Sequence, residues 1–383
     1  MSARGRIDDI EVLRGVAVLM VLLFHLRLSL IPWEVPWWDH ITQHYFGFWP
    51  GVDLFFAISG FVIARTLLPM LRAGRQAGQA SRALLAFWLR RVWRILPSAW
   101  LWLWLMLIQA AFFNSNRMVD TFHINFESTI AGMLSIANLR MAAATAGHFG
   151  YGISTHYWSL SLEEQFYVLL PAVALSCGKY LVPVLLALLL VLMAVPQSPA
   201  LVYFRAHALI LGVLLAVAAE RPGFAVFEPV VLGRFRGARW AAFVLPMLCI
   251  TAVAPTAQRI TSHPTDVAAV LAVLPVLVAC FDKDYIPFRG IARRALLWTG
   301  SRSYALYLIH LPAFYATREF WLWLQPAGTK FGPGWGPIFL ATAGALLVLL
   351  AELNFRVVER PLRQHGARVA SRVWANAGDA RVA

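Results

Sequence analysis

Apolar runs recur along the chain near residues 10 to 31, 52 to 71, 96 to 113, 158 to 176 and 180 to 196, then near 203 to 219, 240 to 255, 266 to 281, 302 to 320 and 336 to 357. A helix rises about 1.5 Å per residue, so a run of roughly 20 apolar residues crosses about 30 Å of hydrocarbon. Ten such runs predict an all-α, polytopic transmembrane bundle, although several approach the short limit of roughly 17 residues and Pro or Gly interrupts them. The first run carries Arg14 and His25 and has no small-x-small site, so it reads as a retained span rather than a cleaved leader. The connection from 114 to 157 contains an apolar stretch, Phe126 to Leu139, predicted to be one surface or re-entrant helix. No fixed-period repeat is visible, and the segment after 357 is short and polar. The expectation is one integral-membrane domain over 1–383, with a core of about 7–362, a cytoplasmic tail at 363–383 and no appended soluble domain.

Composition agrees with a membrane protein. Hydrophobic residues make up 60% of the 383 and charged residues 14%, against about 45–50% and 25% in globular proteins. Cys177, Cys249 and Cys280 lie in apolar runs without metal-ligand spacing and read as small buried hydrophobes.

The formal charge of +14 raises nucleic acid as a partner, and the placement of the basic residues decides against it. Ten crossings put both termini on one side. That side collects Arg4 and Arg6, the group from Arg72 to Arg94, Lys179, Arg221, Arg234 to Arg239, Lys283 to Arg294, and the tail from Arg356 to Arg381; the opposite connections hold Arg117, Arg140, Arg259 and Lys330. By the positive-inside rule the rich side is cytoplasmic, both termini included, and anionic inner-leaflet lipid is the partner for these arginines.

Polar residues within spans mark helix contacts or a functional cavity. Arg14 and His25 are eleven residues apart, which on a helix is within about 20° of three full turns and about 16 Å along the axis. They share one face. Arg14 falls at the cytoplasmic mouth, as an interfacial anchor or a phosphate ligand, and His25 lies deeper, as a hydrogen-bonded structural residue or a proton acceptor. Arg91 and Arg94, three apart at the cytoplasmic end of the third span, form either a topology anchor or an anion clamp suited to pyrophosphate. Asp53, in the first turn of the second span, favours the helix dipole or orients His25. In HYWSLSLEEQFY, Ser161 and Glu164 fit a capping box, while Trp158, Glu163, Glu164 and Tyr167 suit sugar hydroxyls. In SYALYLIHLP, Ser303, Tyr307 and His310 share a face, with Pro312 able to kink the helix beyond them. His156 and His207 carry no comparable pattern and read as structural. No clustered His, Cys and carboxylate set has metal-ligand spacing.

Taken in order, IEVLRGVAVLMVLLFH, GVDLFFAISGF, RRVWRILP, WSLSLEEQFY, SYALYLIHLP and VERP resemble the integral-membrane acyltransferase type 3 family, from Glu11 to Pro361. The resemblance implies ten or so helices in a bacterial inner membrane, an acyl-CoA donor, commonly acetyl-CoA, and O-acylation of a surface carbohydrate or glycolipid such as O-antigen or exopolysaccharide. The family's R-x10-H motif falls on Arg14 and His25, and its R-x-x-R motif on Arg91 and Arg94; Glu164 and His310 match further family positions. Some relatives carry an extra span and a periplasmic hydrolase-like domain, which this sequence is expected to lack. On that basis His25 is the candidate catalytic residue, Arg14, Arg91 and Arg94 bind the donor, and Asp53, Glu164, Tyr307 and His310 support substrate binding, with no metal. The rival class is a proton-coupled transporter or exporter, which also keeps Arg, His and carboxylates within its spans. Neither the acceptor nor the oligomeric state is readable from the residues.

Overall fold

The computed structural model describes residues 6–114, 118–260, 263–326 and 328–379. Arg4, Arg117 and Arg381 lie outside them, as does the side chain of Arg259. Among the described residues the regular elements are all helices. α1 (Asp8–His25) opens with Asp8, Asp9 and Glu11 in its first turn, where carboxylates oppose the positive end of the helix dipole, and continues as a π-helical turn over Leu26–Leu30. A short exposed helix, α2 (Pro36–His44), precedes α3 (Gly51–Gln76) and α4 (Ala80–Phe112). At 33 residues α4 is about 50 Å long and overruns the hydrocarbon. Then follow α5 (Phe122–Met133), α6 (Ala137–Gly147), α7 (Tyr157–Cys177), α8 (Leu181–Ala194) and α9 (His207–Ala219). The chain continues through α10 (Val231–Arg234), α11 (Arg236–Ile260), α12 (Pro264–Ala279), α13 (Gly290–Ser301), α14 (Ser303–Leu324), α15 (Gly336–Asn354) and α16 (Arg360–Asp379).

Each apolar run falls on a helix. Among the described residues six helical stretches, from Asp8–Leu30 to Pro333–Trp374, are long and apolar enough to cross a membrane, and Gly237–Val253 and Pro264–Ala279 are shorter apolar helices. Leu190, Val191, Leu245 and Leu349 are exposed, which water penalises and lipid does not. The molecule is a polytopic helical membrane protein.

One expectation changes. The stretch Phe126 to Leu139 is not one helix, because the chain turns at Ser135 with φ 57°, ending α5 and starting α6. Within the polar tail, α16 docks along α4, with Gly366 against Trp93 and the His365 ring 4.6 Å from the Trp93 ring. The arginine-bearing connections meet one another at one end of the bundle. Arg72 pairs with Glu220, and Arg293 reaches both Asp9 at 3.1 Å and Asp284 at 2.5 Å.

Small residues set the closest helix approaches, as lipid-embedded packing favours. A Cβ on Gly60 of α3 would stand 2.1 Å from the Leu209 carbonyl oxygen of α9, and one on Gly212 of α9 2.2 Å from that of Ala57. At the α1–α13 crossing, a Cβ on Gly300 would stand 1.9 Å from the Glu11 carbonyl oxygen and one on Gly15 2.5 Å from that of Leu296. This second crossing seats α1 one residue from Arg14. Gly60→Ala is therefore expected to cost about 1–3 kcal/mol by overpacking, lowering the thermal midpoint of the purified protein. The control Gly344→Ala, with nothing within 4 Å of the added carbon and in the interior of α15, should hold or raise it, since Ala is the better helix former. Equal midpoints for Gly60→Ala and wild type would show that the crossing yields at no cost.

Candidate active site

Between α1, α3, α4, α7 and α14 lies a cleft holding about 820 Å³ of empty space, part of it open to solvent. Arg14, Arg91 and Arg94 line it together. Arg14 is tied to Glu11 at 2.8 Å. Arg91 lies over the Tyr167 ring at 5.0 Å, and neither Arg91 nor Arg94 has a carboxylate within ion-pair distance among the described residues. Arg363, brought in by α16, adds its field to theirs. Glu359 shares its field with Arg94 and Arg363, but no carboxylate contacts Arg91 or Arg94 among the described residues, and holding these two guanidinium ions together is costly unless an anion joins them.

The same cleft is lined by Ser159, Glu163, Glu164 and Tyr167 of α7 and by Ser303, Tyr304 and Tyr307 of α14. The expected capping box is absent. α7 already begins at Tyr157, so Ser161 sits inside the helix, where its hydroxyl accepts a hydrogen bond from the Ala137 amide at 3.1 Å. Glu164 instead accepts from the Ser135 hydroxyl, and the Tyr167 hydroxyl donates to Glu163. Tyr307, fully within the bundle, shares a 2.5 Å hydrogen bond with the Ser159 hydroxyl and donates to the His156 carbonyl at 2.9 Å.

His25 does not line this cleft. One turn beyond Tyr307 on α14 is His310, with no exposed surface, and the His25 ring lies 4.8 Å from it, centre to centre. The Tyr307 and His310 rings are 5.6 Å apart, so contacts run from the cleft wall through Tyr307 and His310 to His25. Hydrogen bonding assigns the tautomers. His310 Nδ1 is 2.6 Å from the Tyr307 carbonyl and must carry the proton, leaving Nε2 as an acceptor. That Nε2 is 3.2 Å from His25 Nδ1, which also faces the Val21 carbonyl at 3.1 Å, so His25 carries its proton on Nδ1. The lone pair of His25 is then on Nε2, which has no hydrogen-bond partner among the described residues.

A third imidazole completes the group. His156 is 1% exposed, and its ring lies 5.0 Å from that of His310. Pro312 has no N–H to give the carbonyl four residues before it, Leu308, and His156 Nε2 donates to that carbonyl at 3.3 Å. His156 read as structural because nothing in the local pattern joins it to a carbonyl 152 positions away. The one available signal was Pro312, which announces an orphaned carbonyl in the turn before it.

Asp53 is 1% exposed and pairs with Arg205 at 3.2 Å rather than with His25. Arg205 is sandwiched by Trp158 at 4.8 Å and Trp49 at 5.2 Å. Buried and paired through Oδ1, with Asp53 Oδ2 left without a hydrogen-bond partner among the described residues, the two fix α3 to the segment before α9; Arg205 had no counterpart within reach in the sequence. Among the described residues no group of three His, Cys, Asp or Glu side chains converges to hold a metal ion.

Comparison with known proteins places this arrangement. The chain is 26% identical over 389 aligned residues to a peptidoglycan O-acetyltransferase, OatA, of Listeria monocytogenes, covering 95% of this chain and 57% of that protein. It is 25% identical to a putative peptidoglycan O-acetyltransferase, YrhL, of Bacillus subtilis, covering 96% of this chain and 56% of that one. It is 24% identical to an O-acetyltransferase, OatA, of Staphylococcus aureus, covering 94% and 58%. The chain thus spans little more than half the length of these relatives, and no solved structure matches it. Residues 7–353 match the acyltransferase domain family, taking in Arg14, His25, the α4 arginines and the α14 histidine, and the chain belongs to that family.

Proposed function

We propose that this chain is a membrane O-acyltransferase that moves an acyl group, acetyl in the first instance, from acyl-CoA to a hydroxyl of a cell-surface carbohydrate. The observation that carries the reading is the cleft itself, in which three arginines, two of them without carboxylate partners, lie beside a buried phenol that contacts a group of three imidazoles. Phosphates of CoA suit the arginines. The arginine-rich end then faces the cytoplasm, where acyl-CoA is found, and the pantetheine arm runs along the cleft toward Tyr307. The relatives' names add peptidoglycan sugars to O-antigen and exopolysaccharide as acceptors of the same chemical class.

In this reading His25 Nε2 takes the proton of the acceptor hydroxyl as its oxygen attacks the thioester carbonyl carbon. The carbon–sulfur bond breaks, the CoA sulfur takes the proton back from the imidazolium, and the products are an ester and free CoA. His310 Nε2, accepting from His25 Nδ1–H, holds the ring in the useful tautomer and stabilises the imidazolium, as a carboxylate does in a hydrolase triad. The alternative path, with the acyl group first carried on Nε2, uses the same atom. The test is to incubate the purified protein in nanodiscs with [14C]acetyl-CoA and a soluble glycan. Labelled glycan and a matching quantity of free thiol are expected; donor untouched under all acceptors would overturn the reading.

A further inference from the structure

A second cleft lies on α1 beyond the first, holding about 930 Å³ of space that is partly open. Leu23, Phe24, Arg27 and Leu28 form its floor, about three turns along α1 from Arg14. Its walls come from α2, from the 47–49 segment and from Pro255 of α11. Phe24 lines this cleft and meets the His25 ring edge-on at 5.0 Å, so the candidate base, which touches His310 on α14, stands one ring behind the second cleft.

The chemistry of the walls differs from that of the arginine cleft. Trp38 is half-buried and stacks with Phe48 at 5.9 Å and 22°, whereas its neighbour Trp37 is 64% exposed, as an interfacial anchor would be. Thr42 Oγ1 donates to the Trp38 carbonyl and keeps its lone pairs, the Gln43 amide is exposed, and Trp49 Nε1–H is a buried donor without a partner among the described residues. The one charge is neutralised. Arg27 makes two hydrogen bonds to Asp39, at 2.6 and 3.0 Å, and one to the Ile31 carbonyl at 2.9 Å. Those bonds from Arg27 hold the Asp39 carboxyl below the usual carboxylate range, and together they fasten α2 to the end of α1. An aromatic face flanked by an amide, a hydroxyl and an indole N–H, with its only cation occupied, suits a neutral polyol and not a phosphate.

We infer that this cleft is the acceptor subsite, taking the apolar face of a neutral pyranose ring against Trp38 and presenting a sugar hydroxyl to His25. The inference rests on the proposed transfer reaction for its role, but its binding chemistry is testable alone. The probe is a β-linked N-acetylglucosamine tetrasaccharide, followed by saturation-transfer NMR on the protein in phospholipid nanodiscs. Wild type is expected to bind it, Trp38→Ala to weaken binding and raise the acceptor KM by about tenfold or more, and Trp38→Phe to retain most of both. The acetyl-CoA KM should stay within about twofold in each variant, because Trp38 is remote from the arginine cleft. Absence of tetrasaccharide binding by wild type while acetyl-CoA is still consumed overturns the subsite alone, and acetyl-CoA left untouched with the sugar bound overturns the transfer reading alone. Equal binding by Trp38→Ala and wild type, or retention of a phospholipid chain in place of the sugar, also overturns the subsite.

Discussion

His25→Ala is expected to lower the transfer rate by about 10²- to 10⁴-fold, the range assigned to loss of a general base. Folding should survive, since the half-buried ring makes two polar contacts, to the Val21 carbonyl and to His310, and α1 is anchored elsewhere by Gly15 against α13. The measurement is labelled acetyl transfer at saturating donor, beside size-exclusion elution to show an intact bundle. Transfer within a few fold of wild type would remove His25 from the chemistry. His310→Ala should lose less, because it removes an orienting acceptor and not the base. The double variant should be no slower than His25→Ala, since residues acting as one unit are not additive.

Removing both Arg91 and Arg94 should raise the acetyl-CoA KM by about 100-fold or more, since each charge-assisted hydrogen bond to phosphate contributes about 1.5–3 kcal/mol and a tenfold change needs about 1.4 kcal/mol. Arg14 contributes less in this account, because Glu11 already engages it. S-acetylpantetheine, which carries the thioester without any phosphate, separates binding from structure. Its slow turnover should be indifferent to the double substitution, and a parallel loss with both donors would mean that the arginines hold the helices and not the nucleotide.

Much of this molecule is visible in the string of residues, for definite physical reasons. Helix periodicity and bilayer thickness are fixed lengths, so apolar runs located the membrane helices, and the eleven-residue interval between Arg14 and His25 lies wholly within the α-helical part of α1. Arg91, Arg94, Glu164 and Tyr307 line one cleft, a convergence of three helices that no local pattern implied. What escaped was the set of partnerships made across the bundle. Asp53 found Arg205, 152 positions away, and His156 found a carbonyl that Pro312 had freed. Ser161 fits a cap by spacing alone, but the helix starts a turn earlier, at Tyr157, and the hydroxyl serves the backbone of α6. Local patterns report which face a side chain takes, and tertiary packing decides what it meets there.

The buried bond between Tyr307 and Ser159 also bears on the barrier that a helical membrane protein must leave intact. Imidazoles placed in series are the material of proton wires, and an open channel from an arginine-lined vestibule past three of them would short the gradient that the cell maintains. Here phenol, serine and the His156 carbonyl satisfy one another, so no water chain has a dangling donor to extend at that point. In the proposed reaction a donor reaching past Tyr307 would have to part this bond, and its own bulk would fill the gap it opened.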